Sequence, residues 1–114
     1  MVDINEQRIA GVADVRWYSP EEGGRRSGPP KFEYTYVAMC RFDQDVNEVA
    51  NGLRPQVAVS AVFLKQVEPG ESSYLIAFAT PLLVLPFLRA GAVFHVDEGV
   101  PQRSCTATVL ELFG

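Results

Sequence analysis

Apolar and polar positions alternate along most of this chain. Ala13, Val15 and Trp17 share one side of a stretch whose other side carries Asp14, Arg16 and Tyr18. A period of two marks a strand with one covered face. The pattern returns at Tyr34, Tyr36, Ala38, Cys40 and Phe42, set against Glu33, Thr35, Met39 and Arg41. The first of these sets is expected to point inward. Val57, Val59, Ala61 and Phe63 share a face of a third stretch. Residues 73–79 are apolar on both sides, which predicts a strand covered on both faces. Ala92, Phe94 and Val96 alternate with Val93, His95 and Asp97. Cys105, Ala107, Val109 and Glu111 alternate with Thr106, Thr108, Leu110 and Leu112. The predicted strands are therefore 9–19, 32–42, 56–67, 73–79, 92–97 and 102–112.

Breakers separate them. Ser19-Pro20 ends the first strand. Glu68-Pro69-Gly70-Glu71 is a tight-turn sequence, in which proline presets the first central position and glycine supplies positive φ at the second. Glu98-Gly99-Val100-Pro101 turns the chain again. Residues 43–55 are acidic and polar, with one helical turn expected over 46–51 before Asn51-Gly52 stops it. Residues 81–91 are apolar but broken by Pro81, Pro86 and Gly91. They read as a buried crossover that plugs one end of the core. With no long helical period, six regularly spaced strands predict an all-β barrel or sandwich. Closure would remove the exposed strand edges that invite aggregation.

The 114 residues fit one domain, with 1–8 as a loose arm and 9–114 as the β unit. A net charge of −4 argues against a broad nucleic-acid footprint. The most apolar stretch, 80–96, is too interrupted to span a bilayer. No basic-then-apolar leader opens the chain. The expected location is therefore cytoplasmic, with Cys40 and Cys105 as reduced core thiols.

Candidate chemistry is sparse. Glu21, Glu22, Gly23, Gly24, Arg25 and Arg26 form a polar, glycine-rich loop between strands. Backbone N–H groups in such a turn, with arginine forks beside them, suit an anion. The adjacent acids cancel much of that field. Asp43, Asp45 and Asn47 begin like a calcium loop. Glu48 then stands where that loop needs glycine, and Arg54 where it needs a bidentate acid. With one histidine and two distant cysteines, no metal site is expected. His95 has Asp97 on its own face but no marked nucleophile, so it reads as an exposed strand histidine. Tyr34, Tyr36 and Phe42 could stack bases, with Arg25 or Lys31 following the backbone, but alternation assigns them to the apolar face. Leu82, Leu83, Leu85, Phe87 and Leu88 would form a partner-binding patch if 81–91 were less buried than a plug requires.

One longer stretch has a likeness. Residues 15–26, Val-Arg-Trp-Tyr-Ser-Pro-Glu-Glu-Gly-Gly-Arg-Arg, resemble the opening of the C-terminal β-barrel domain of the elongation factor Tu family. Ala92-Val93-Phe94-His95-Val96-Asp97-Glu98-Gly99, followed by Thr106-Ala107-Thr108-Val109-Leu110, is similar to that domain's final hairpin. The resemblance implies a six-stranded antiparallel barrel. The family's barrel contacts tRNA and a nucleotide-exchange partner. This chain departs from it at Lys31-Phe32-Glu33-Tyr34-Thr35-Tyr36 and at Ser104-Cys105-Thr106-Ala107, and it has no Gly-x-x-x-x-Gly-Lys-Ser/Thr. The expectation is a free-standing, non-enzymatic barrel without a cofactor. It would bind another protein, as an adaptor or immunity protein does, or alternatively RNA. The expected contact residues are Glu21, Glu22, Arg25 and Arg26 on one loop and Asp43, Asp45 and Glu48 on the other.

Overall fold

Strands occupy the alternating stretches in a computed structural model that describes residues 8–26, 28–43, 57–99 and 102–113. They are β1 (Ile9–Trp17), β2 (Tyr36–Asp43), β3 (Val57–Gln66), β4 (Ser73–Phe78), β5 (Val93–Gly99) and β6 (Gln102–Leu112). The sheet closes in the order β1-β4-β3-β2-β5-β6, with every pair antiparallel. The fold is the expected all-β, six-stranded barrel. Because β1 pairs with both β4 and β6, no strand keeps a free edge.

The interior is filled by one face of each strand: Ala13 and Val15 from β1, Cys40 and Phe42 from β2, Val62 and Leu64 from β3. Tyr74, Ile76 and Phe78 from β4, Phe94 and Val96 from β5, and Cys105, Ala107 and Val109 from β6 complete it. Phe42, Phe78, Phe87 and Phe94 form an aromatic cluster, with ring centroids 5.0 to 6.1 Å apart. Burying each such ring is worth about 1.5–3 kcal/mol. Phe63 points the other way. It packs with Ala77, Ile9 and Leu75 on the outer wall. β4 is thus covered on both faces, as its sequence predicts.

Two expectations need correction. β2 begins at Tyr36 and not at residue 32. The preceding residues turn, because Tyr34 N–H donates to Lys31 O. The Lys65 ammonium also holds the Phe32 carbonyl and lies 4.0 Å from the Phe32 ring centroid. Tyr34 is consequently 46% exposed instead of inward. Residues 81–91, in turn, are not a buried plug. They form a four-residue helix, α1 (Pro81–Val84), then a 3₁₀ turn, Leu85–Phe87. Only Val84 is fully buried, with Phe87 and Leu88 leaning on the core. So short an element has one inward face. Leu82, Leu83 and Leu85 are left 81%, 60% and 61% exposed.

The barrel has two distinct ends. Trp17, Tyr36, Tyr74 and Glu98 lie toward one. Ile9, Phe42, Phe78, Phe94 and Leu112 lie toward the other. Apart from Arg8, the expected arm lies outside the described residues, and so does the helical turn expected over 46–51.

Candidate functional site

At the Trp17 end, the glycine-rich loop folds back over the barrel. Ser19 caps a 3₁₀ turn, Pro20–Glu22. Its hydroxyl accepts from Glu22 N–H, and its own N–H donates to Glu22 Oε1. Gly23 then reverses the chain at φ 89°. Gly24 is buried so close to β1 that an added Cβ would lie 2.0 Å from the Tyr18 carbonyl oxygen. Only glycine lets the loop take this path.

Two of the loop's charges, Glu22 and Arg25, are engaged by the barrel itself. Arg16 Nη2 meets Glu22 Oε2 at 2.5 Å. Arg25 Nε meets Glu98 Oε1 at 2.9 Å, its Nη1 donates to Gly28 O, and its guanidinium lies over the Tyr36 ring. The Tyr36 hydroxyl is hydrogen-bonded to both Glu98 Oε1 (2.5 Å) and Ser104 Oγ (2.7 Å). Burial, reinforced by the bond to Glu98, pushes the Tyr36 phenol above its usual range. The Ser19 N–H, and then Arg16, hold the Glu22 carboxyl below the usual range. Trp17 Nε1–H donates to the Tyr74 hydroxyl at 3.0 Å, and its ring stands edge-on to Tyr36. Each of these side chains has at least one polar partner within the molecule. Glu21 and Arg26 are exposed beside it.

The second predicted surface is elsewhere. Asp43 ends β2 at the opposite end of the barrel, paired with Val57. Asp45 and Glu48 lie outside the described residues. Asp43 therefore stands away from the glycine-rich loop, the other expected contact surface. His95 faces outward on β5 between its register partners Arg41 and Thr106, half-buried and not exposed. Cys40 and Cys105 are free and buried, on either side of Val96. Burial raises both thiols to about 12, so neither is a nucleophile near neutral pH. Among the described residues, no group of three His, Cys, Asp or Glu is placed to hold a metal ion. None of their helices is long and apolar enough to cross a membrane.

The feature that stands out is at the Phe78 end. A groove of about 350 Å³ opens between the start of β1, the end of β4, α1 and the end of β6. Ile9, Phe78, Leu82, Leu85, Leu112 and Phe113 supply its walls. A register shift between Ile9 and Gly11 bends β1 at its rim. A hydrogen bond from Phe113 N–H to Ala10 O fastens the C-terminal wall to it. Arg8 is the one charged residue in the lining. The leucines at 82 and 85 were visible in sequence as a candidate patch. Ile9, Leu112 and Phe113 were not, because only the pairing of β1 with β6 brings them there.

The chain matches no family model, no curated protein and no solved structure. Its function is read from its own geometry.

Proposed function

We propose that this barrel is a non-enzymatic protein-binding module, of the adaptor or immunity kind, that docks through the apolar groove at its Phe78 end. One observation carries the reading: Leu82 and Leu85, both exposed, line a concave apolar cleft together with Leu112 and Phe113, and Leu83, next to Leu82 in the chain, is exposed as well. Contiguous apolar surface of this kind marks interaction sites, and interface centres are depleted of charge. The glycine-rich loop is a weaker contact surface, since Glu22 and Arg25 are already engaged with Arg16 and Glu98. That same engagement removes support from an RNA-binding alternative. Asp43, Asp45 and Glu48 stay in the proposal as an acidic surface only. The likeness to the elongation factor Tu barrel is kept as a proposal about ancestry, for a fold does not imply a function. Two buried free thiols are compatible with a reducing compartment, which supports the cytoplasm as the proposed location.

A photo-crosslinking residue placed at Leu83, used in cells of the host, tests the reading. Position 68, an exposed turn, is the control. Specific protein adducts at 83 and not at 68 are expected. Equal or absent labelling at the two positions rejects the groove as a docking site.

A further inference from the structure

We infer that the Trp17 end holds a guanidinium-binding site whose resident ligand is the chain's own Arg25, and that the arginine of an incoming molecule exchanges with it. The site stands apart from the groove at the Phe78 end. Its receiving groups belong to the barrel wall: Trp17 on β1, Tyr36 on β2, Glu98 on β5 and Ser104 on β6. These groups are joined to one another without help from Arg25. The Tyr36 hydroxyl lies 2.5 Å from Glu98 Oε1 and 2.7 Å from Ser104 Oγ. The Tyr36 ring stands edge-on to Trp17, with centroids 5.1 Å apart. A carboxylate is thereby fixed beside an aromatic face. That pairing suits a planar cation, because the carboxylate accepts from its N–H fork while the ring attracts its charge. Arg25 satisfies both, with Nε 2.9 Å from Glu98 Oε1 and Cζ 5.1 Å from the Tyr36 centroid.

Arg25 is a guest in this arrangement because the loop that carries it is held by other bonds. Glu22 N–H and Gly24 N–H donate to Ser19 O, and Gly23 N–H donates to Pro20 O. Gly24 is packed against the Tyr18 carbonyl. The Arg25 side chain can therefore swing out about its own bonds while the loop keeps its path. The Arg25 and Glu98 side chains are 23% and 31% exposed, so a competing group reaches the carboxylate from solvent. An incoming guanidinium re-forms the bonds that it displaces, which a neutral group does not. The resident's advantage is proximity. A ligand tethered by a short segment has an effective concentration on the order of millimolar. External arginine must exceed that level in the intact chain, and need not once the Arg25 side chain is removed.

The test follows the fluorescence of Trp17, the sole tryptophan, in the full chain as N-acetyl-arginine amide or N-acetyl-lysine amide is added at constant ionic strength. Arg25→Ala should bind the arginine compound saturably, and at least about tenfold more tightly than the unmodified chain does. The lysine compound lacks the planar fork and should bind at least about tenfold more weakly. Glu98→Gln keeps an oxygen for the Tyr36 hydroxyl but removes the charge. Added to Arg25→Ala, it should abolish binding. Free arginine then separates two sources of the same group. Binding equal to that of the amide assigns the site to the amino acid; binding of the amide alone assigns it to arginine within a protein chain, and either upholds the inference. An Arg25→Ala chain that binds no arginine compound overturns it, as does one that binds no more tightly than the unmodified chain. Equal responses to the arginine and lysine compounds, or binding that survives Glu98→Gln, also overturn it. So does loss of the strand signal in far-UV circular dichroism on Arg25→Ala, since Arg25 is then part of the framework and not a ligand to it.

Discussion

The two ends of this barrel solve the same problem with opposite chemistry. Each must close off an apolar interior from water. At the Trp17 end a glycine-rich loop does so, and two of its charges are matched by groups of the barrel, Glu22 by Arg16 and Arg25 by Glu98, above a Tyr36–Ser104 hydrogen bond between strands. At the Phe78 end the cover is a short apolar helix with one residue, Val84, truly inside. The first end leaves little unsatisfied. The second leaves leucines in water. A surface whose polar groups are already paired must break those bonds to bind anything, whereas burying exposed leucine is favourable outright. The less finished end is therefore the one proposed to bind.

Substitutions can break or sharpen this division. The largest effect is expected from Phe94→Ala, inside the aromatic cluster, at about 3–5 kcal/mol by urea denaturation. Gly24→Ala should follow at about 2–3 kcal/mol, because the new methyl meets the Tyr18 carbonyl; hydrogen exchange would show opening confined to the loop. Tyr36→Phe leaves Ser104 and Glu98 without their shared hydroxyl and should cost about 1–2 kcal/mol, with a change in the fluorescence of Trp17 beside it. A loss as large as that of Phe94→Ala would place the weight of the fold on the polar end and undo the contrast. Leu82→Ser should change stability by less than about 0.5 kcal/mol while reducing crosslinking at position 83.

The smallest effect concerns pH. The Glu22 carboxyl is held below its ordinary value of 4.5. Its contribution is complete above that value and is lost as pH falls through the lower folded value. Acid should loosen the glycine-rich loop, read by amide exchange at 20–24, and leave the leucine end unmoved.

The strands were legible because each has one face in the core, which imposes a period of two. β3 shows where that reading runs short. Both its faces are apolar, so nothing in the alternation told Val62 and Leu64, which point in, from Phe63, which packs outside. Alternation also ran on through residues 32–35, where Lys65 and the Lys31 carbonyl hold the chain in a turn. The leucines at 82, 83 and 85 suggested burial because they are apolar; two prolines keep the segment too short to bury them. The glycine-rich loop was found, but its ion pairs join residues up to 73 positions apart (Arg25 to Glu98), and separations of that kind leave no local mark. The acidic residues at 45 and 48 lie outside the described residues.

The seam between β1 and β6 has a consequence for how the molecule comes to exist. A ribosome delivers β6 after the other five strands, and until it arrives β1 and β5 each show an unpaired backbone. The five-stranded nascent intermediate is open like a barrel missing one stave, with apolar side chains behind the gap. Truncation near residue 100 would leave β1 and β5 without their shared partner, and unpaired edges of that kind are templates for strand recruitment from neighbouring chains.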